Sequence, residues 1–263
     1  MNAVFIESVG LAAPGLPSWQ ESRATLRGEL PFVATPLPPH TPALLPLNER
    51  RRATPAIRLA FQAAEDATKA SSLPAAGLAT VFASSDADLA IIHRICLALT
   101  VTPRLISPTD FHNSVHNAAA GYWSIATGAR AASTTISAHD GSFGAGLLEA
   151  CSQVLADGCD ALLVAFDLPA PEPLSAMRFI SCPAAAALVL THEATAQSLA
   201  SLTCATTDEG ETKVGEAALE QLRLGNPAAR ALPLLESLAL GRFGRVVLPM
   251  GPRANLAVEL RAA

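Results

Sequence analysis

The run "SAHDGSFG" (Ser137–Gly144) gathers three residue types used in acyl chemistry: His139, Asp140 and Ser142. A serine nucleophile needs a histidine base, an acid that orients the base, and N–H donors for the oxyanion, all converging from separate elements. Neighbours on one turn do not converge in this way, and the run is not Gly-x-Ser-x-Gly. The plainer reading is that Asp140 or Ser142 caps the helix that follows and accepts its free N–H groups. A stand-alone acyltransferase or hydrolase using Ser142 is the alternative.

Two further groups have the chemistry to act. His112 and His116 stand at i, i+4, a spacing that can ligate a metal. No acidic third ligand accompanies them, so no metal is expected; hydrogen bonding at a subunit interface is the preferred reading, with a satisfied structural histidine as the alternative. Five cysteines (Cys96, Cys151, Cys159, Cys182 and Cys204) show no metal-ligand spacing. Cys151 and Cys159 read as small core residues, and a buried thiol without a basic neighbour is inert. Scattered thiols point to a reducing, cytoplasmic setting.

The elements that must hold these residues alternate between strand and helix. Ala3–Ala13 and Gly77–Ser85 read as strands, and Pro31–Asn48, rich in proline, reads as a surface loop. Thr54–Ser72 is the clearest helix, with Thr54 as cap, Pro55 in its first turn and a broad apolar face. Asp86 is expected to cap a helix to Leu99, and Asp110 one that ends at Gly128. Ala132–Ala138 reads as a strand of small and β-branched residues. Ser142–Asp157 reads as a helix closed by Gly158, and Asp160–Asp167 as a strand buried on both faces. The theme continues with strands at Ala184–His192 and Ser198–Thr207, two helices, and two closing strands. This order predicts an α/β fold.

The chain has 263 residues, half of them hydrophobic, and a formal charge of −5. That is ample for a large core. Only Arg50, Arg51 and Arg52 form a basic cluster, so nucleic acid is not an expected partner. No apolar run reaches the length of a membrane span, and the N-terminus lacks a signal-peptide pattern.

Four ordered segments then carry a resemblance: "RRRATPAIRLAFQAAEDA", "VFASSD", "SPTDFHNSVHNAAAGYWSIATGARAASTTISA" and "GLLEACSQVLADGCDALLVAFD". In this order they resemble the N-terminal half of β-ketoacyl synthases, and "MRFISCPAAAALVL" resembles the strand that follows there. The wording is most similar to the chain length factors of aryl polyene and related pigment clusters. The resemblance implies a thiolase-like, layered α-β-α-β-α fold: one domain over 1–263, with a complete N-terminal half (1–175) and a reduced C-terminal half (176–263). It places the family's catalytic cysteine at Asp140, an anion that cannot carry a thioester. The family's two histidine motifs, "HGT" and "N…GH", have no counterpart. The resemblance therefore implies no catalytic residue and no cofactor.

What it implies instead is a non-catalytic subunit of a fatty acid or polyketide system that forms a heterodimer with an active ketosynthase. Asp86, Ala87, Ala90, Phe111, Ser114 and Val115 become candidates for setting the depth of the acyl tunnel. His112, His116, Ser133, Thr134, Thr135, Ile136 and Ser137 become candidates for the dimer interface. An acyl carrier protein is a candidate second partner, facing the Arg50–Arg52 cluster. A scaffold without tunnel function is the remaining alternative.

Overall fold

The computed structural model describes residues 3–263. The chain builds one eight-stranded mixed sheet in the order β3-β2-β4-β5-β1-β6-β8-β7. Its first strand, β1 (Val4–Ala12), is buried almost throughout and pairs antiparallel with β5 (Ala184–Thr191). β2 (Ala79–Ala83), β3 (Ser133–Ile136) and β4 (Ala161–Asp167) run parallel, with β2 in the middle. β4 and β5 are buried at every position, as strands must be when both faces are covered.

One face of these five strands is covered by α3 (Pro55–Ala70) and α6 (Ala118–Thr127). Thr54 caps α3 by accepting from the Ile57 N–H, and Phe61 meets Trp123 edge-to-face at 5.2 Å. The opposite face is covered by α7 (Ser142–Asp157). It ends, as the sequence requires, at Gly158 in the left-handed conformation.

The remaining strands, β6 (Ala200–Thr207), β7 (Gly244–Gly251) and β8 (Ala254–Arg261), form a three-stranded antiparallel ribbon. It joins the larger sheet through three β1–β6 pairs and packs back onto α7. Gly141 and Gly144 permit this: a Cβ on either would run into the Met250 or Pro249 backbone. The central helix is thus shared by the five-stranded layer and the ribbon. The layering is the thiolase-like α/β arrangement, with the second β layer cut to three strands. The C-terminal helices α8 (Ala217–Gly225) and α9 (Leu232–Leu240) complete this side of the core.

Two local expectations are corrected. The helix after β2 is α4 (Leu89–Thr100), and Asp88, not Asp86, caps it by accepting from the Ile91 N–H. The stretch after it is broken in two: α5 (Pro108–Asn113), capped by Ser107 rather than Asp110, and then α6, which ends at left-handed Gly128. Arg50–Arg52 form the end of a short helix, α2 (Leu47–Arg52), that leads into α3. One helix has no counterpart in the sequence reading: α1 (Trp19–Leu26), capped by Ser18, whose hydroxyl accepts from the Glu21 N–H and donates to the Glu21 carboxylate.

Candidate functional site

The parallel strands β3, β2 and β4 bring three loops together at their C-terminal ends, where α/β proteins place their sites. The loop after β3 carries the turn His139–Gly141, the loop after β2 carries Asp86 and Ala87, and β4 ends at Asp167.

The turn does not cap α7. Gly141 stands at the cap position, without a side-chain bond. Ser142 is buried and its hydroxyl is fully used: it accepts from the Ala138 N–H (3.0 Å) and donates to the His139 carbonyl (2.7 Å). The proton goes to a backbone carbonyl, whereas a serine nucleophile hands it to an adjacent base. Asp140 faces a cation instead. Its carboxylate accepts from Arg178 Nη1 at 2.8 Å, with Arg230 Nη2 at 4.0 Å. From Ala138 to Ser142 the turn contains no thiol.

Arg178 is the residue that sequence reasoning missed. Its Nε donates to Asp86 at 2.8 Å while Nη1 donates to Asp140, so one guanidinium joins the turn after β2 to the turn after β3. Behind it, Arg230 and the buried Arg223 share Glu211, and Arg223 also pairs with Glu220. These partners lie up to 92 residues apart. No local pattern announces such a network; the only signal was a lone arginine between two apolar residues, Met177 and Phe179.

The tunnel candidates divide into three groups. Asp86, Ala87 and Ala90 line a cavity of about 50 Å³ with Asp167 as its inner wall. Val115 lines an adjoining space of about 10 Å³. These volumes suit water rather than an acyl chain. Phe111 is 69% exposed, and Ser114 donates to its carbonyl. Asp167 is wholly buried. Its Oδ1 accepts from the Ser84 and Ser85 hydroxyls and the Ser85 N–H, but burial outweighs these bonds and pushes its carboxyl up to about 7.

Among the described residues β3 pairs only with β2. The Thr80 and Ser84 N–H groups donate to the Ala132 and Ile136 carbonyls, so positions 132, 134 and 136 turn their backbone inward. By the two-residue period of a strand, Ser133, Thr135 and Ser137 turn theirs outward. Several large apolar side chains are exposed: Ile92, Leu97 and Leu99 of α4, Leu105, Phe111, and Ile125 of α6, the helix that packs on β3. His112 meets the Tyr122 ring edge-on at 6.3 Å, and His116 Nε2 lies 3.2 Å from the Ser84 carbonyl. Among the described residues no three His, Cys, Asp or Glu side chains are grouped to hold a metal.

Cys151 is buried with its Sγ 3.9 Å from that of Cys204, and the contact together with burial raises its pKa well above the ordinary thiol value. Burial likewise raises Cys159 and Cys182. These thiols are protonated and unreactive at neutral pH. Among the described residues no helix is long and apolar enough to cross a membrane.

Comparison with known proteins agrees with this architecture. A ketosynthase (ApeO) in complex with its chain length factor (ApeC) from Xenorhabdus doucetiae matches with a TM-score of 0.73 and 25% identity, over 98% of this chain and 99% of that one. The ishigamide ketosynthase/chain length factor matches with a TM-score of 0.75 at 14% identity, over 99% of each chain. The AntDE:AntF structure, a type II acyl carrier protein in complex with its ketosynthase, matches with a TM-score of 0.72 at 15% identity, over 100% of this chain and 99% of that one. The last two show the fold alone. No curated protein sequence matches. The family model for the beta-ketoacyl synthase N-terminal domain matches residues 19–234, most of the chain. With its thiolase-like layers and its turn between β3 and α7 in place, the chain belongs to the β-ketoacyl synthase family.

Proposed function

We propose that this chain is a non-catalytic, ketosynthase-like chain length factor. It pairs with an active β-ketoacyl-ACP synthase in a type II polyketide or fatty acid pathway of the aryl polyene kind, and acts in the cytoplasm. The observation that carries this reading is the Asp140–Arg178 ion pair. Where a ketosynthase needs a thiolate to hold the growing chain, this turn offers a carboxylate already bonded to an arginine, and no thiol.

The surface supports the partner. The outward backbone groups of Ser133, Thr135 and Ser137 suit pairing with a strand of a second subunit, and the apolar side chains of α4 and Phe111 suit its burial. The volumes beside Asp86, Ala87, Ala90 and Val115 hold no acyl chain. In this reading these residues, with Phe111 and Ser114, close the far end of the partner's tunnel, and each added two-carbon unit meets a wall. Arg51 and Arg52 are exposed and are the surface we assign to an acidic carrier protein; Arg50 is committed to the Ala43 and Leu45 carbonyls.

Co-expression with an active ketosynthase and its carrier protein tests the proposal. A 1:1 complex whose products differ in length from those of the ketosynthase alone is expected. Absence of a complex, or acylation of the isolated chain by an acyl donor, would overturn it.

A further inference from the structure

The two turns joined by Arg178 share an unusual backbone. Ala87 (φ 56°) follows Asp86, and His139 (φ 53°) precedes Asp140. Among the described residues these are the two non-glycine positions with left-handed backbone. Such conformations persist only where the surroundings over-determine them, and they gather at sites where geometry matters. Here each lies beside an aspartate that Arg178 holds at 2.8 Å. The Arg178 side chain is 14% exposed, whereas Met177 and Phe179 on either side are 89% and 76% exposed. The chain thus turns the charged residue inward and leaves the two apolar ones outside, the reverse of what solvation favours. Asp86 and Ala87 lead directly to Asp88, the cap of α4, and line the cavity closed by Asp167.

We infer that Arg178 is a positioning residue: by tying the Asp140 turn to the Asp86 turn it fixes where α4 begins, and with it the wall that ends the partner's acyl tunnel. The acidic residue at the old nucleophile position is then an anchor for this tie as well as a lost thiol. The inference rests on the chain-length reading for its product-length consequence. Its structural half, that Arg178 holds the Asp86 turn, stands without a partner.

Two measurements test it, with Arg178→Met and Arg178→Lys, the latter able to keep one of the two ion pairs. The first is amide hydrogen exchange on the isolated chain. Arg178→Met is expected to speed exchange at residues 86–92 at least tenfold, with Arg178→Lys between it and the parent and with exchange in β4 and β5 unchanged. Unchanged exchange at 86–92 overturns the inference. Should Arg178→Met fail to fold, Asp140→Asn, which weakens one arm at a half-exposed residue, takes its place in both measurements.

The second is the product distribution of the reconstituted heterodimer. Arg178→Met is expected to bind the ketosynthase within about twofold of the parent, yet to change the ratio of the main product to the one two carbons longer by about tenfold, with partial restoration by Arg178→Lys. A variant pair with parental binding and the parental distribution overturns the inference while leaving the chain-length reading intact. A parent chain that neither binds nor alters product length sinks that reading instead, and the exchange result then decides the positioning claim alone.

Discussion

β7 and β3 are the two edges of one sheet, and they meet solvent differently. At the β7 edge, the Thr212 N–H donates to the Val247 carbonyl and the Thr212 hydroxyl accepts from the Val247 N–H. Pro249 removes a further donor, and the pairing is irregular between Pro249 and Gly251. Each is a device that keeps foreign strands off an edge. β3 has none of them. Its shortness, at four residues, limits pairing, but it holds no proline or charge and is partly exposed along its length. The neighbouring helices show the same contrast. α3 buries eight residues, while α4, written largely in Leu, Ile and Ala, buries only Ile91. One edge is guarded and the other is not, and α4 is left largely uncovered; this asymmetry is what the proposed partner requires.

The contrast can be broken or sharpened by experiment. The largest effect is expected at the guarded side, where the helix and the ribbon touch without space. Gly144→Val drives a side chain into the Pro249 backbone and should cost about 3 kcal/mol or more. Thermal melting should show a fall of roughly 6–12 °C. An unchanged melting point would mean that the ribbon is held elsewhere.

Two strands in from the bare edge, Asp167 supplies a pH test. Its folded pKa of about 7 lies above the ordinary value of 3.8, so between these values the folded state holds the extra proton. Its contribution is therefore full at acid pH and is lost as pH rises from about 4 through 7. Asp167→Asn keeps an oxygen for Ser84 and Ser85 and removes the titration. Relative to the variant, the parent should lose about 2 kcal/mol between pH 5 and pH 8. Parallel pH curves from denaturant unfolding would refute the assignment.

The smallest effect on the isolated chain, and the most telling for the comparison, belongs to Thr135→Pro. It deletes an N–H that faces away from β2, so the melting point of the chain alone should shift by less than about 3 °C. Affinity for the ketosynthase, measured by calorimetry, should fall at least about tenfold, the worth of one well-placed hydrogen bond at an interface. A large loss of stability with unchanged affinity would reverse the roles assigned to the two edges.

Much of the scaffold was legible in residue order. Alternation of strand and helix, the Thr54–Pro55 start of α3, and Gly128 and Gly158 as left-handed helix ends are local signals, set by the conformational preferences of one or a few neighbouring residues. The absence of a thiol from the turn before α7 was also legible, because it is a matter of residue type. Caps were less secure. Asp86 and Asp88 are both good caps on a page, and only the structure shows Asp86 drawn away by Arg178, which leaves Asp88 to accept the helix N–H.

Sequence by itself determined the α/β class, the family resemblance, and the absence of a thiol from the turn before α7, since these follow from short-range periodicity, ordered motifs and residue type. The tertiary structure alone decided what Asp140 does, which hydroxyl is spent, and which edge stays open. An ion pair between residues 38 or 92 positions apart forms only when three parallel strands bring their ends together, and the exposure of α4 depends on what fails to pack against it. Both are properties of distance in space, which the order of residues does not state.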